Sequence, residues 1–222
     1  MKNNGQMSEN YVVGIMLALA GGFLDAYTYI VRGGVFANAQ TGNIVLLGIN
    51  LAKGNISKVL LYLVPILAFT LGIFISEIVK SKLKQSTKIH WRQIIVLFEV
   101  IMLFCITFVP KNHSYDIIVN TVISLVCSLQ VESFRKINGH AVATTMCTGN
   151  LRSGTEALYL GIINKDKSRI FKCINNYGII LFFIFGALIG TLLTNYYSTY
   201  SLFFVCALLI VPLIMMFKSE DE

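Results

Sequence analysis

Charge is what this sequence has least of. Asp, Glu, Lys and Arg make up 13% of its 222 residues, about half the share usual in a soluble domain. That shortage excludes a bundle of amphipathic helices in water, because each such helix needs a charged face. Proline is limited to three residues, so long helices meet few breakers. The five cysteines, Cys105, Cys127, Cys147, Cys173 and Cys206, form no CxxC pair and lie in or beside apolar runs. They read as small buried hydrophobes. His90, His113 and His140 are scattered, which leaves no metal spacing. No HExxH, nucleophile–base pair or cofactor motif is present, so no catalytic residue, metal or cofactor is expected.

What the chain has in abundance is apolar length. Apolar residues reach 55% and fall into runs of about 20, as a hydrocarbon core of about 30 Å requires of a helix. Six such spans are expected, at 11–30, 59–79, 91–109, 117–134, 173–193 and 200–217. The net charge of +7 sits in short loops between them, which is a topology signal rather than a nucleic-acid surface. The partner is therefore the lipid bilayer, not nucleic acid. Ala18-Leu19-Ala20 before Gly21 imitates a signal-peptide cleavage site. Only Lys2 precedes it as a positive charge, and the apolar run continues to Ile30, so it is read as part of the first span.

The chain also repeats itself. A shift of 107 residues places Leu24-Asp25-Ala26-Tyr27 on Val131-Glu132-Ser133-Phe134, Val35 on Val142 and Thr41-Gly42-Asn43 on Thr148-Gly149-Asn150. Seven of the 31 positions 24–54 are identical. With about seven residues inserted, Phe69-Thr70-Leu71-Gly72 falls on Phe183-Ile184-Phe185-Gly186. Such duplication is frequent among transporter folds. The repeats are residues 1–110 and 111–222, each with an acid-bearing span, a TGN segment (35–54 and 142–162) and two further spans.

Lys and Arg decide whether the TGN segments cross. Arg32, Arg135, Lys136 and Arg152 lie close to the motifs and are set aside. If all eight segments cross, Lys2, Lys53, Lys58, Lys111, Lys165, Lys167, Arg169, Lys172 and Lys218 share one face. Lys80, Lys82, Lys84, Lys88 and Arg92 then share the other. If the TGN segments dip in and return, only Lys53, Lys58 and Lys111 fall outside and the other eleven inside, which fits the positive-inside rule far better. The expected fold is all-α and integral to the membrane, with six transmembrane helices, two re-entrant half-helices and both termini cytoplasmic. Three crossings per repeat is odd, so the second repeat enters upside down and the two TGN segments approach the midplane from opposite faces. Trp91 inside and Tyr196, Tyr197 and Tyr200 outside suit the interfacial belts.

The TGN motif reads as a half-helix start. Thr can cap, Gly allows close approach, and Asn offers both donor and acceptor. Irregular polar backbone at membrane depth survives only inside protein or along a wet cavity, and two helix starts would aim positive dipole ends at one point. Asn38, Gln40, Thr41, Gly42, Asn43, Thr148, Gly149 and Asn150 are therefore the expected solute-binding residues; the bland alternative is helix capping and packing. Asp25 and Glu132, at equivalent positions, and Glu99 in the third span are acids within apolar surroundings. Each costs about 2.5–3.5 kcal/mol on insertion scales unless paired or solvated. They are expected to couple a proton or cation; the structural alternatives are an ion pair with Arg135 for Glu132 and bonding to the re-entrant backbone for Asp25. Gly186 and Gly190, or Gly14, Ala18 and Gly22, permit close helix contact within the chain or in a homodimer.

Gly21-Gly22-Phe23-Leu24-Asp25-Ala26, Gly34-Val35-Phe36-Ala37, Gln40-Thr41-Gly42-Asn43 and the later Thr148-Gly149-Asn150-Leu151 together resemble the YoaK-like family of bacterial membrane proteins. The likeness covers nearly the whole chain. It implies a bacterial inner-membrane location and about six helices, and supplies no substrate. The function expected from the residues is a transporter or channel for a small polar solute; a membrane scaffold or assembly partner is the alternative.

Overall fold

The structure is a computed structural model that describes residues 10–83, 90–137, 140–141 and 143–218. Lys2, Lys84, Lys88, Val142 and both chain ends, on which part of the topology argument rests, lie outside the described residues. Eight α-helices follow in order among the described residues: α1 Tyr11–Val31, α2 Gln40–Ala52, α3 Ile56–Leu83, α4 Trp91–Thr107, α5 His113–Ser133, α6 Cys147–Ile163, α7 Lys167–Tyr197 and α8 Leu202–Lys218. A short antiparallel pair, Lys136–Ile137 with His140–Ala141, lies between α5 and α6.

The helix starts follow local chemistry. Asn10, Asn112 and Asp166 accept hydrogen bonds from the first-turn amides of α1, α5 and α7. His90 and Gln93 form a reciprocal capping box at α4, each device satisfying amides that would otherwise be orphaned. Past α1, Gly33 and Gly34 adopt φ of +82° and +78°, a left-handed turn that glycine enters without steric cost.

Four stretches are long and apolar enough to cross a membrane: Tyr11–Val31, Ile56–Leu83, His113–Ser133 and Lys167–Phe217, the last holding α7 and α8. Leu67, Leu71 and Phe74 on α3 and Leu181, Ile184 and Leu188 on α7 are exposed. Outward apolar faces on this scale belong in lipid rather than water. The chain is a multi-pass, all-helical membrane protein.

Its helices pair across the sequence rather than along it. α1 lies on α7 and α3 on α5; α2 lies on α3 and α6 on α7; α4 touches α5 and α8, and α1 touches α8. Exchanging α1–α4 with α5–α8 maps these pairings onto one another, and α4–α8 onto itself. Gly186 faces Leu19 and Gly190 faces Phe23, so α1 and α7 run the same way. Gly72 faces Leu125 and Ser76 bonds Ser133, so α3 and α5 also run the same way. Repeat-equivalent helices instead run oppositely. Asn120 near the start of α5 donates to the carbonyl of Arg32 beyond the end of α1, and Gln130 near the end of α5 lies beside Leu17. Likewise Phe108 packs on Phe203 while Val100 meets Cys206.

Phe23, Leu24 and Tyr27 of α1, Leu103 of α4, Ile123 and Val126 of α5, and Leu202 and Leu209 of α8 form the buried core between these helices. Of the glycines expected to let helices meet, Gly22, Gly186 and Gly190 do so at the α1–α7 crossing.

Candidate functional site

The two TGN motifs build the same device twice. Asn43 accepts from the Phe36 amide at 3.0 Å and donates to the Phe36 carbonyl at 2.6 Å. Asn150 treats Ala143 identically, accepting from its amide at 3.3 Å and donating to its carbonyl. Phe36 and Ala143 are themselves 107 residues apart. Each asparagine thus pins an irregular segment onto the first turn of the helix that follows it, satisfying backbone groups that regular structure leaves bare. Gln40 reinforces the first device, donating to the Ala37 carbonyl and accepting from Asn43, both at 2.9 Å.

With their asparagines occupied this way, α2 and α6 begin without any side-chain cap. Among the described residues, the amides of the equivalent Thr41 and Thr148 have no hydrogen-bond partner. Both helix starts open on one cavity of about 270 Å³. Its lining consists of repeat-equivalent pairs: Asn38 with Thr145, Ala39 with Met146, Gln40 with Cys147, Thr41 with Thr148, and Phe69 with Phe183, completed by Gly149. Asn38 also donates to the Gly21 carbonyl of α1, against which the Thr145 methyl packs.

Of the expected solute-binding residues, Asn38, Gln40, Thr41, Thr148 and Gly149 line this cavity. Gly42, Asn43 and Asn150 do not. Gly42 faces the Phe36 ring, where a Cβ would come within 2.8 Å, whereas Gly149 has open space above it.

The three acids occupy three different settings. Asp25 is buried beside the start of α2 and accepts from the Asn38 amide at 2.7 Å. It lines an adjoining apolar groove of about 320 Å³ that shares Ala39 and Phe183 with the cavity. Glu99 is fully buried within α4, and the Gln130 amide, turned to present its nitrogen, donates to both carboxylate oxygens at 2.9 and 3.1 Å. Glu132 lies in the last turn of α5, paired with Arg135 at 2.9 Å. Equivalent in sequence, Asp25 and Glu132 are not equivalent in space, because α5 stops at Ser133 while α1 continues to Val31.

Arg32, left out of the charge count for its closeness to the first motif, is central to the architecture. Arg32 has no exposed surface; it donates to Tyr27 Oη at 3.1 Å, the Pro110 carbonyl at 2.8 Å and the Val109 carbonyl at 2.7 Å, with Asp116 at 3.9 Å. A guanidinium can be buried when its fork of donors is matched in this way. An arginine closing an apolar span marked a charge that had to be matched, but not its partners, two of which are backbone carbonyls.

The comparisons with known proteins agree with a membrane protein of this size. No solved structure matches the chain. The UPF0700 transmembrane protein YoaK of Bacillus subtilis (strain 168) is 27% identical over 163 residues, which cover 70% of each chain. Residues 13–215 match the family described as protein of unknown function (DUF1275), and the chain belongs to that family.

Proposed function

We propose that the protein moves a small polar solute across a bacterial inner membrane, through the cavity between α2 and α6. The lining carries this reading: one chamber is built from matching residues of both motifs, with helix amides left free at its wall. A scaffold has no use for such a chamber, so the assembly-partner reading leaves these paired polar groups unexplained.

In this reading α1, α3, α4, α5, α7 and α8 cross the bilayer and α2 and α6 turn back. Support comes from Arg32, which ties the end of α1 to the end of α4 and the start of α5. If α2 crossed along with α3 and α4, the ends of α1 and α4 would lie on opposite faces. With α2 returning, they meet on one face. At 13 residues, α2 spans about 20 Å, short of a 30 Å core. The opposed directions of α1 and α5, and of α4 and α8, favour inverted repeats, and the basic loops favour cytoplasmic termini.

Labelling of single cysteines gives a direct test. A cysteine at Lys82 should react only from the cytoplasm and one at Asn195 only from outside. One at Asn38 should be reached more readily from outside, and one at Thr145 from inside. Equal access to Asn38 and Thr145 from one face would remove the inverted arrangement and the shared site with it.

Coupling is assigned first to Asp25, which contacts the segment leading into α2, and second to the buried Glu99; Glu132 is held by Arg135 at the bundle end. Asp25→Asn nearly preserves volume and should leave the protein folded while abolishing the response of flux to a pH gradient. An unfolded variant with normal flux per surviving folded molecule would make Asp25 structural.

A further inference from the structure

α2 and α6 are repeat-equivalent, yet their outward faces differ. On α2 the exposed positions Val45 and Ile49 are apolar and suit lipid. A shift of 107 residues turns them into Arg152 and Glu156 on α6, which are also exposed. α6 lies on α7 with Asn150, Gly154, Ala157 and Gly161 buried, and at about 100° per residue Arg152 stands opposite that stripe. Around the two charges Leu151, Tyr159 and Ile163 are each more than half exposed.

Opposite charges four residues apart on a helix ordinarily neutralise each other. These do not: among the described residues neither side chain has an ion pair or a hydrogen bond. Their order explains it. The local pairs of Lys or Arg that do close, Glu77–Lys80, Glu132–Arg135 and Asp166–Arg169, all place the acid first. That is the sense a helix favours, and Arg152–Glu156 reverses it. The nearby Thr155 hydroxyl is already engaged by the Leu151 carbonyl and by Tyr177 Oη of α7. With α6 turned back inside the bilayer, about 16 Å of helix separates Arg152 from Ile163 at its cytoplasmic end. Side chains lean toward the N-terminus of their helix, here toward the midplane, so snorkelling to water is opposed. Two bare charges at that depth require a partner.

We infer that the partner is a second copy of this chain, docked α6 against α6 about a two-fold axis along the membrane normal. This rests on the re-entrant reading of α6 and not on transport. The axis brings Arg152 of one protomer to the partner's Glu156, and Glu156 to the partner's Arg152, closing two ion pairs at once. Within each pair the offset along the helix is about 6 Å, which an arginine and a glutamate side chain span together. The face is complementary to itself. A lipid phosphate would meet Arg152 and leave Glu156 bare. α2, with Val45 and Ile49 at the same positions, stays in lipid.

The test uses full chains carrying donor or acceptor fluorophores, reconstituted together in phosphatidylcholine vesicles and diluted with lipid. Energy transfer should persist for the parent. Arg152→Glu and Glu156→Arg each set like charges across the axis, so each alone should associate at least about tenfold more weakly. Mixed with one another, the two variants should regain the parent's transfer, because every pair across the axis is again opposite. A benzophenone side chain in place of Tyr159 should join two copies on illumination, whereas one in place of Ile49 should not; this arm leaves both charges intact. Parent transfer lost on dilution, with no cross-link at Tyr159, would overturn the dimer. Transfer retained by both single variants, or not restored by mixing them, would overturn the roles of Arg152 and Glu156. Labelling at Asn38 and Thr145 tests the topology by itself, so a monomer with the expected labelling overturns the dimer alone.

Discussion

Gly186→Leu should leave little or no folded protein in the membrane, while Gly48→Leu should be tolerated. A Cβ at Gly186 would fall on the Leu19 carbonyl, just as one at Gly22 would fall on the Phe183 carbonyl; at Gly48 nothing lies within 4 Å. Overpacking usually costs about 1–3 kcal/mol because side chains can move aside. Here the obstacle is backbone, so α1 and α7 must separate along their length. A cost at or above that range is a large share of the roughly 5–15 kcal/mol that holds a typical fold. Thermal unfolding in detergent, followed by size-exclusion chromatography, reads the effect. A Gly186→Leu protein that melts with the parent would refute the close α1–α7 crossing.

Asn43→Ala and Asn150→Ala should both destabilise the protein, the first more than the second. Each removal strands an amide and a carbonyl in a partly buried loop, at about 1–3 kcal/mol per unsatisfied group. Asn43 additionally holds Gln40, which Asn150 cannot do because Cys147 stands at the equivalent position. Asn43→Asp keeps the acceptor for the Phe36 amide but loses both donated bonds, so it should fall between parent and Asn43→Ala. Unfolding and solute binding per folded molecule need to be measured together. Unchanged stability with lost binding would make these asparagines solute ligands rather than loop clamps.

That reassignment shows how far residue types alone reach. Thr-Gly-Asn read as a helix start is matched by α2 and α6, because a break from apolar to small polar residues marks irregular backbone wherever it occurs. The spans were legible for the same reason: span 11–30 became Tyr11–Val31 and 200–217 became Leu202–Lys218. Ends set by tertiary contact were not legible. The Asp25–Glu132 equivalence failed likewise, because where α5 stops is decided by what packs around Ser133, including the Ser76 hydroxyl and the Arg92 guanidinium. Arg32 was illegible for another reason: its partners Val109 and Pro110 are backbone carbonyls, which have no residue type to recognise.

The crossed pairing of the helices also has a consequence in time. α1 is buried against α7, and α7 begins only at Lys167. At bacterial or eukaryotic rates of about 5–20 residues per second, α1 leaves the ribosome on the order of ten seconds before its partner. Throughout that interval Gly22 faces lipid or the insertion machinery instead of Phe183. α3 meets α5 much sooner, so that pair can assemble before α1 and α7 meet. A chain stopped after α4 would have made neither contact, and would persist only if a second polypeptide supplied α5 and α7.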